Sequence, residues 1–503
     1  MHNSEKNKTI AKNTIYLYIR LLVSLLLNLY MSRLLLAALG IDDFGTYNIV
    51  GGVVFLMMFV NSTMQNASLR FINISIGKGD NNVIMRTISS SIQIHILLSL
   101  LFLIVGETVG LWYVINELNV PQESYDTVLI LYQLTLFTAI ISIIQVPLIA
   151  TVMSYEKMNA YAFIEIFHVL LRCGIIFLLV FFENKLLFYG ILLFFVGLFI
   201  FLLYLFYCKR NFSTFCLTRS FKSKEIRSML SFAIYNLIGD GTFAVRQQGT
   251  NLLINKFFGV GLNAASGVAT QAASLISTFT GNTQSAFKPQ IIKEYSAGDI
   301  NRVKDLMKKE TEIMFILLSI ILNVALINIG YLMKIWLGNV PNYAVEFCRI
   351  IMICNTLTVL MQIMSTPIHA TGKVKLYNVI VGILNISCVI LAYVFLKSGM
   401  DSVYAYYAYL IIIFIKIASE AYILNKNIPQ FSFRDLLYMI AKPTLLFLTS
   451  FAITYFIVYE IDSPIQKLIT SSVVNIFVVM IFSVLMYPYV KTYTISFISK
   501  IIR

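Results

Sequence analysis

Charged residues are scarce in this chain of 503 residues: Asp, Glu, Lys and Arg make up 12% of it, where a soluble domain carries about 25%. Set against a hydrophobic share of 58%, that scarcity excludes a water-soluble protein. Histidine and cysteine are also few. The four histidines, His2, His95, His168 and His369, are scattered, and the six cysteines, Cys173, Cys208, Cys216, Cys348, Cys354 and Cys388, form no C-x-x-C pair or Cys/His cluster at metal spacing. No metal site and no resident cofactor are expected, and the thiols read as reduced, packed groups. No nucleotide-binding loop is present, which argues against direct use of ATP.

What is abundant is apolar sequence in runs of about 20 residues, each enough to cross a hydrocarbon core. Fourteen such segments lie near 15–38, 45–69, 88–113, 126–152, 159–182, 186–207, 229–256, 263–287, 311–333, 345–368, 376–396, 403–425, 439–459 and 467–488. The longest connections expected, 208–228 and 288–310, hold no soluble domain, so the activity is expected inside the membrane. The first apolar stretch exceeds a signal-peptide core and no A-x-A pattern follows it, so it is expected to remain as a helix.

The net charge of +14 poses a question of sidedness. Counted over alternate loops, the side holding both termini collects 27 Lys and Arg and the other side 7. Positive charge gathers on the cytoplasmic side, so both termini are expected there, with an even number of spans. The basic loops then serve topology and contact with anionic headgroups rather than nucleic acid.

The chain also matches itself at an offset of 219 residues. Gly40 falls on Gly259, Gln65 and Ala67 on Gln284 and Ala286, and Gly79-Asp80 on Gly298-Asp299; one residue further, Pro147, Ala150 and Thr151 fall on Pro367, Ala370 and Thr371. Six spans separate the copies, so both have the same orientation, a parallel repeat about an axis along the membrane normal. The expected architecture is an all-α polytopic membrane protein of about 14 transmembrane helices. Two pseudo-symmetric six-helix bundles, 1–207 and 229–425, are joined by a basic cytoplasmic linker, 208–228, and followed by two appended helices within 439–488. Folds of that kind hold substrate between their halves and expose it to each side in turn.

Ionisable groups inside a bilayer are costly, so their positions are functional hypotheses. Arg20, Ser24 and Asn28 form one polar stripe on the first span; Glu165, His168 and Arg172 share a face of the fifth; Asn236, Asp240, Arg246, Gln247, Thr250 and Asn251 fall within one arc of the seventh. Under the repeat, Asn28 overlies Gln247 and Ser32 overlies Asn251. Arg20, Arg172, Arg246, Asn28, Gln247 and Asn251 are the candidate substrate contacts, with Glu165, His168 and Asp240 the candidate titrating groups. Glu165 with Arg172, or Asp240 with Arg246, equally reads as a pair that only locks helices, as do Lys416 and Glu420 in the twelfth span. The guanidinium groups suit phosphate or pyrophosphate, which they bind bidentately.

The stretch from Arg33 through Gly40, Asp43, Gly45 and Tyr47 to Asn48, followed by Arg70-Phe-Ile and Gly77-Lys-Gly-Asp80, resembles the opening of bacterial polysaccharide flippases. Tyr155-Glu156-Lys157-Met158, Gly249-Thr-Asn251, Asn263-Ala-Ala265, Pro289 to Lys293 and Ala370-Thr-Gly-Lys373 continue the likeness, which runs to about residue 390. The chain is similar to the O-antigen or capsule repeat-unit flippases of the multidrug/oligosaccharidyl-lipid/polysaccharide exporter superfamily. That resemblance implies two six-helix bundles about a central cavity, carrying undecaprenyl-pyrophosphate-linked oligosaccharide across the bacterial inner membrane, with membrane lipids and polysaccharide polymerase or glycosyltransferases as partners and no enzymatic step. It implies that Arg20, Arg172 and Arg246 face the anionic lipid-sugar, with H+ or Na+ as the possible coupling ion. The alternatives are a cation-coupled drug or metabolite antiporter of the same superfamily and a membrane polysaccharide polymerase or ligase.

Overall fold

A computed structural model describes residues 2–57, 59–120, 125–215, 224–488 and 490. All fourteen expected segments fall on helices, to within a residue or two at their ends. These are α1 (His2–Met57), α2 (Phe59–Lys78), α3 (Asn81–Val105), α4 (Leu111–Asn116), α5 (Tyr125–Ser154), α6 (Met158–Leu178), α7 (Lys185–Asn211), α8 (Lys224–Phe258), α9 (Val260–Ser296), α10 (Ile300–Leu337), α11 (Ala344–Ala370), α12 (Lys375–Lys397), α13 (Tyr404–Asn427), α14 (Phe433–Val458) and α15 (Pro464–Met486). Among the described residues ten helices are long and apolar enough to span a membrane, α3 with α4 counting as one. For α1, α2, α8 and α9 the span count rests on sequence. Side chains such as Phe181 and Leu485 stand 81% and 75% exposed, an arrangement suited to lipid and not to water.

Several expected connections are shorter than the sequence pattern indicated. Both ends of the linker expected at 208–228 are taken up by α7 and α8, and its middle, 216–223 with Cys216, lies outside the described residues. The stretch 288–310 is helical except at 297–299, because α9 and α10 run on past their apolar segments. Gly298 at φ 81° ends the one, and Asp299 caps the other by accepting from the Arg302 N–H at 2.9 Å. The repeat partner does the same: Gly79 at φ 75° precedes Asp80, which caps α3 through the Asn82 N–H at 2.8 Å. Gly40 and Gly259 likewise share φ near 80°, at 81° and 80°, a left-handed conformation in which a side chain is strained. Gly40 breaks α1 into two limbs, and Gly259 separates α8 from α9. Pro147 and Pro367 both lie inside helices, α5 and α11. The halves of the chain therefore make the same local breaks at equivalent positions.

By packing, the chain divides into two compact units, Met1–Gly267 and Val268–Arg503, a boundary inside α9 rather than in the basic linker. The first unit holds α8 because α8 lies against α1 and α2. A Cβ on Gly52 of α1 would sit 2.8 Å from Gln248 Oε1 and 3.3 Å from Asn251 Nδ2 of α8, and one on Gly45 would land on the Val260 carbonyl. Within this unit α5 packs on α3 and α7, and α6 on α7; within the second, α11 packs on α10 and α13, and α12 on α13. The pairings follow the repeat. In the second unit α14 and α15 pack on α10 through a buried polar ladder: Asn475 Nδ2 donates to the Ser319 and Ile320 carbonyls at 2.9 and 3.0 Å, and Asn323 Nδ2 donates to Asn475 Oδ1 and Ser450 Oγ at 3.1 and 2.8 Å.

Candidate functional site

The fifth-span face Glu165, His168, Arg172 is built by α6, whose helical spacing sets the three side chains one above another. In the first unit they meet a cavity of about 380 Å³, within the range of about 300–1,000 Å³ usual for small-ligand sites. The second limb of α1 gives it Tyr47 and Gly51, α5 gives Thr135, Thr138, Ser142 and Gln145, and α7 gives Gly190 and Gly197. The two glycines on α7 let α5 pack close: a Cβ on Gly190 would meet Leu131 Cδ1 at 2.6 Å, and one on Gly197 the Thr138 methyl at 3.4 Å. Thr135 and Thr138 turn their hydroxyls onto the Leu131 and Leu134 carbonyls, both at 2.7 Å, so their methyl groups are freed for the lining. Ser142 Oγ accepts from Asn61 Nδ2 of α2 at 3.3 Å.

Arg172 is oriented by two tyrosines. Its guanidinium donates to the hydroxyls of Tyr47 and Tyr189, whose rings meet edge to face at 5.1 Å. Being neutral, they fix the group without cancelling its charge. Glu165 is held otherwise than by a lock with Arg172: its Oε1 accepts from Tyr204 Oη at 2.8 Å. Arg20 donates from Nη1 to Tyr161 Oη at 3.0 Å with its guanidinium 5.0 Å from that ring, and its charge acts on Glu165. Arg20, Tyr161, Glu165 and Tyr204 thus form one polar cluster from α1, α6 and α7, continuous with the cavity through Glu165. His168 lies beside the charge of Arg172 and has no hydrogen-bond partner among the described residues.

The remaining candidates are placed elsewhere. Asn28 donates to the Ser24 carbonyl at 2.7 Å. Arg246 lies on α8 with its guanidinium 5.0 Å from the Phe243 ring; neither it nor Gln247 lines the cavity. Asn251 belongs to an asparagine cluster, accepting from Asn263 Nδ2 at its carbonyl at 2.9 Å and at Oδ1 at 2.8 Å; Asn255 then donates to Asn263 Oδ1 and to the Asn119 carbonyl at 2.9 and 3.1 Å. The side chains of Asn236 and Asp240 lie outside the described ones. Lys416, in the second unit, donates to Asn385 Oδ1 at 2.7 Å, with Glu420 feeling its charge. Tyr189, Tyr204 and Gln145 escaped the sequence reading, and Tyr47 entered it only within the stretch that carries the family resemblance. Tyrosines scattered through apolar spans give no pattern of their own; the only available signal was polar spacing on α5, where Thr135, Thr138, Ser142 and Gln145 recur at helical intervals.

Neither protein-family models nor curated protein sequences show a match to the chain. Solved structures do. An inward-facing multidrug resistance MATE family transporter of the MOP superfamily, 10% identical, aligns with TM-score 0.68 over 82% of this chain and 98% of its own. The lipid II flippase MurJ in an inward closed conformation, 13% identical, aligns with TM-score 0.71 over 94% of this chain and 99% of its own. The MATE multidrug transporter DinF-BH in a ligand complex, 15% identical, aligns with TM-score 0.62 over 86% and 96%. At these identities the likeness is one of fold: this is a multi-pass, all-helical membrane protein with the fold of MATE transporters and of MurJ.

Proposed function

We propose that the chain is a flippase carrying undecaprenyl-pyrophosphate-linked oligosaccharide repeat units from the cytoplasmic to the periplasmic leaflet of the bacterial inner membrane. The observation that carries this reading is the cavity of the first unit, where Arg172 is held by neutral tyrosines. A guanidinium fixed without a counter-charge suits a diphosphate. The share of the chain aligned with MurJ, 94%, against 82% with the MATE transporter, supports a lipid-linked substrate, since α14 and α15 give the chain length beyond α13.

On this reading fourteen spans form two six-helix bundles, with α14 and α15 appended and both termini cytoplasmic. The diphosphate meets Arg172 from the cytoplasmic leaflet, with Arg20 and Arg246 adding positive potential. The sugars follow into the polar lumen, where threonine, serine and glutamine replace water, because leaving sugar hydroxyls unpaired in hydrocarbon costs several kcal/mol per group. The polyprenyl tail stays in lipid. Alternating access is driven by membrane potential or by H+ or Na+, with Glu165, His168 and Asp240 as titrating groups. Glycosyltransferases would supply the substrate and a polymerase consume it.

The second reading, a cation-coupled drug antiporter, has its own observation in the Glu165 carboxylate at the same cavity, and in the MATE transporters among the structures of like fold. Deleting the gene and extracting lipid-linked oligosaccharides separates the two. Accumulation in the cytoplasmic leaflet with loss of surface glycan is expected of the flippase. Accumulation in the periplasmic leaflet assigns a polymerase or ligase, and no accumulation with altered dye efflux assigns the antiporter.

A further inference from the structure

The second unit holds a cavity that this transport reading does not use. It measures about 460 Å³ and lies at the N-terminal turns of α10 and α14, lined by Lys304, Lys308 and Lys442 together with Phe431, Tyr438 and Met439. Its acids are already engaged. Asp435 takes Lys304 Nζ at 2.7 Å, and Asp305 takes Arg302 Nη1 and Lys309 Nζ at 2.6 and 2.9 Å. Lys308 and Lys442, both exposed, have no carboxylate partner among the described residues. The cavity therefore carries surplus positive charge, which the positive end of the α14 dipole reinforces.

Beside it the surface turns apolar. Phe433, Leu437 and Tyr438, on the first turns of α14, are 66%, 58% and 61% exposed. A soluble anion would use the lysines and leave this face bare, whereas a phospholipid matches both parts, phosphate to ammonium and acyl chain to the α14 face. We propose that this cavity is a binding site for the headgroup of an anionic phospholipid, with Lys308 and Lys442 as its phosphate contacts. Basic pockets at the ends of membrane helices are suited to such headgroups. The inference stands apart from the nature of the transported substrate.

The test uses the full-length purified chain with phosphatidylglycerol, phosphatidylcholine and inorganic phosphate as probes, and native mass spectrometry to count retained lipid. Phosphatidylglycerol is expected to be retained over phosphatidylcholine. Each lysine near an anionic surface is worth about five-fold in binding, so Lys308→Gln with Lys442→Gln should weaken retention about 25-fold. Because both side chains are exposed, the variants should elute as the parent does; if the double variant fails to fold, the two single variants give the same reading at about five-fold each. Equal retention of both lipids, or undiminished retention by the variants, overturns the proposal. Displacement of phosphatidylglycerol by millimolar inorganic phosphate would also overturn it, making this a site for free anions.

Discussion

Replacing Arg172 by Gln is the most direct probe of the first-unit cavity. Two interactions define the side chain's present state, the hydrogen bonds to Tyr47 and Tyr189. They leave the other N–H donors of the guanidinium for a ligand. A hydrogen bond to a charged group contributes about 1.5–3 kcal/mol. Arg172 is only partly buried, so two ligand bonds discounted for screening amount to about 3 kcal/mol, or about 100-fold in affinity. Arg172→Lys keeps the charge but loses the fork and the tyrosine anchoring, and should fall between, about ten-fold down. Tyr47→Phe and Tyr189→Phe keep the charge and loosen its orientation, each costing about 1 kcal/mol. The assay is binding of a polyprenyl diphosphate to the purified protein, paired with surface-glycan recovery in a deletion strain. A thermal melt runs alongside, because a purely structural arginine would lower stability in proportion to lost function. If Arg172→Gln bound the diphosphate within two-fold of the parent, the cavity would not be where the diphosphate sits. The same holds if Lys and Gln variants failed alike while both melted early.

Asn475→Leu removes the donor and acceptor that join α15 to α10 and α14. At about 0.6 kcal/mol per interhelical bond in a membrane, its four bonds come to about 2 kcal/mol, read as a lowered melting temperature in detergent; an unchanged melt would sink the ladder as a scaffold. Gly45→Ala drives a Cβ into the Val260 carbonyl and should cut the yield of monodisperse protein, whereas Gly330→Ala, in open space within α10, should stabilise by about 0.5–1 kcal/mol. Equal behaviour of the two would refute the close approach of α1 to α9. At the α12–α13 turn, burial pushes the Asp401 carboxyl up, but hydrogen bonds from Ser402 Oγ, Tyr343 Oη and the Val403 N–H outweigh it and hold it below the usual carboxylate range. A depressed folded-state pKa means that this turn's contribution is full above the ordinary carboxylate pKa of about 4 and is lost as pH falls through the lower folded value. Asp401→Asn should therefore flatten the acid limb of the pH–stability curve, and an unchanged acid limb would show the contact to be idle.

The helices were legible because lipid enforces one solution. Every backbone group must be satisfied within its own segment, so an apolar run of span length is a helix with few exceptions. The breaks at Gly40, Gly79 and their repeat partners were legible only as matches of the repeat; that each needs a backbone conformation other residues resist is visible in the structure. What hydropathy could not read was where helices outrun the apolar core. Lys304, Lys308 and Lys309 lie in α10, yet nothing in their hydropathy marks helix, and the Gly298-Asp299 pair just before its start was read only as a match of the repeat. At the site, α6 was read from its spacing alone. Its surroundings were not, because the partners of Arg172 and Glu165 are tyrosines on α1 and α7, far away in sequence and ordinary in composition.

Buried polar groups in this chain are of two kinds, and this bears on which residues work. Asn475 has its amide and carbonyl both engaged by protein atoms, two bonds given and two received, with Thr454 Oγ1 at 3.4 Å completing the set. A polar group so matched costs the membrane fold little and asks nothing of a ligand. In the first-unit cavity His168 and Gln145 have no hydrogen-bond partner among the described residues, and the Nε of Arg20, next to that cavity's Glu165 cluster, is buried without one. Groups of that kind cost several kcal/mol in a dry bilayer, so the cavity that keeps them must hold water or something that replaces it. Within the first unit, function is therefore best sought where polar atoms lack internal partners, on α1, α5 and α6; the second unit has such atoms too, both carboxyl oxygens of the buried Glu310 on α10 among them.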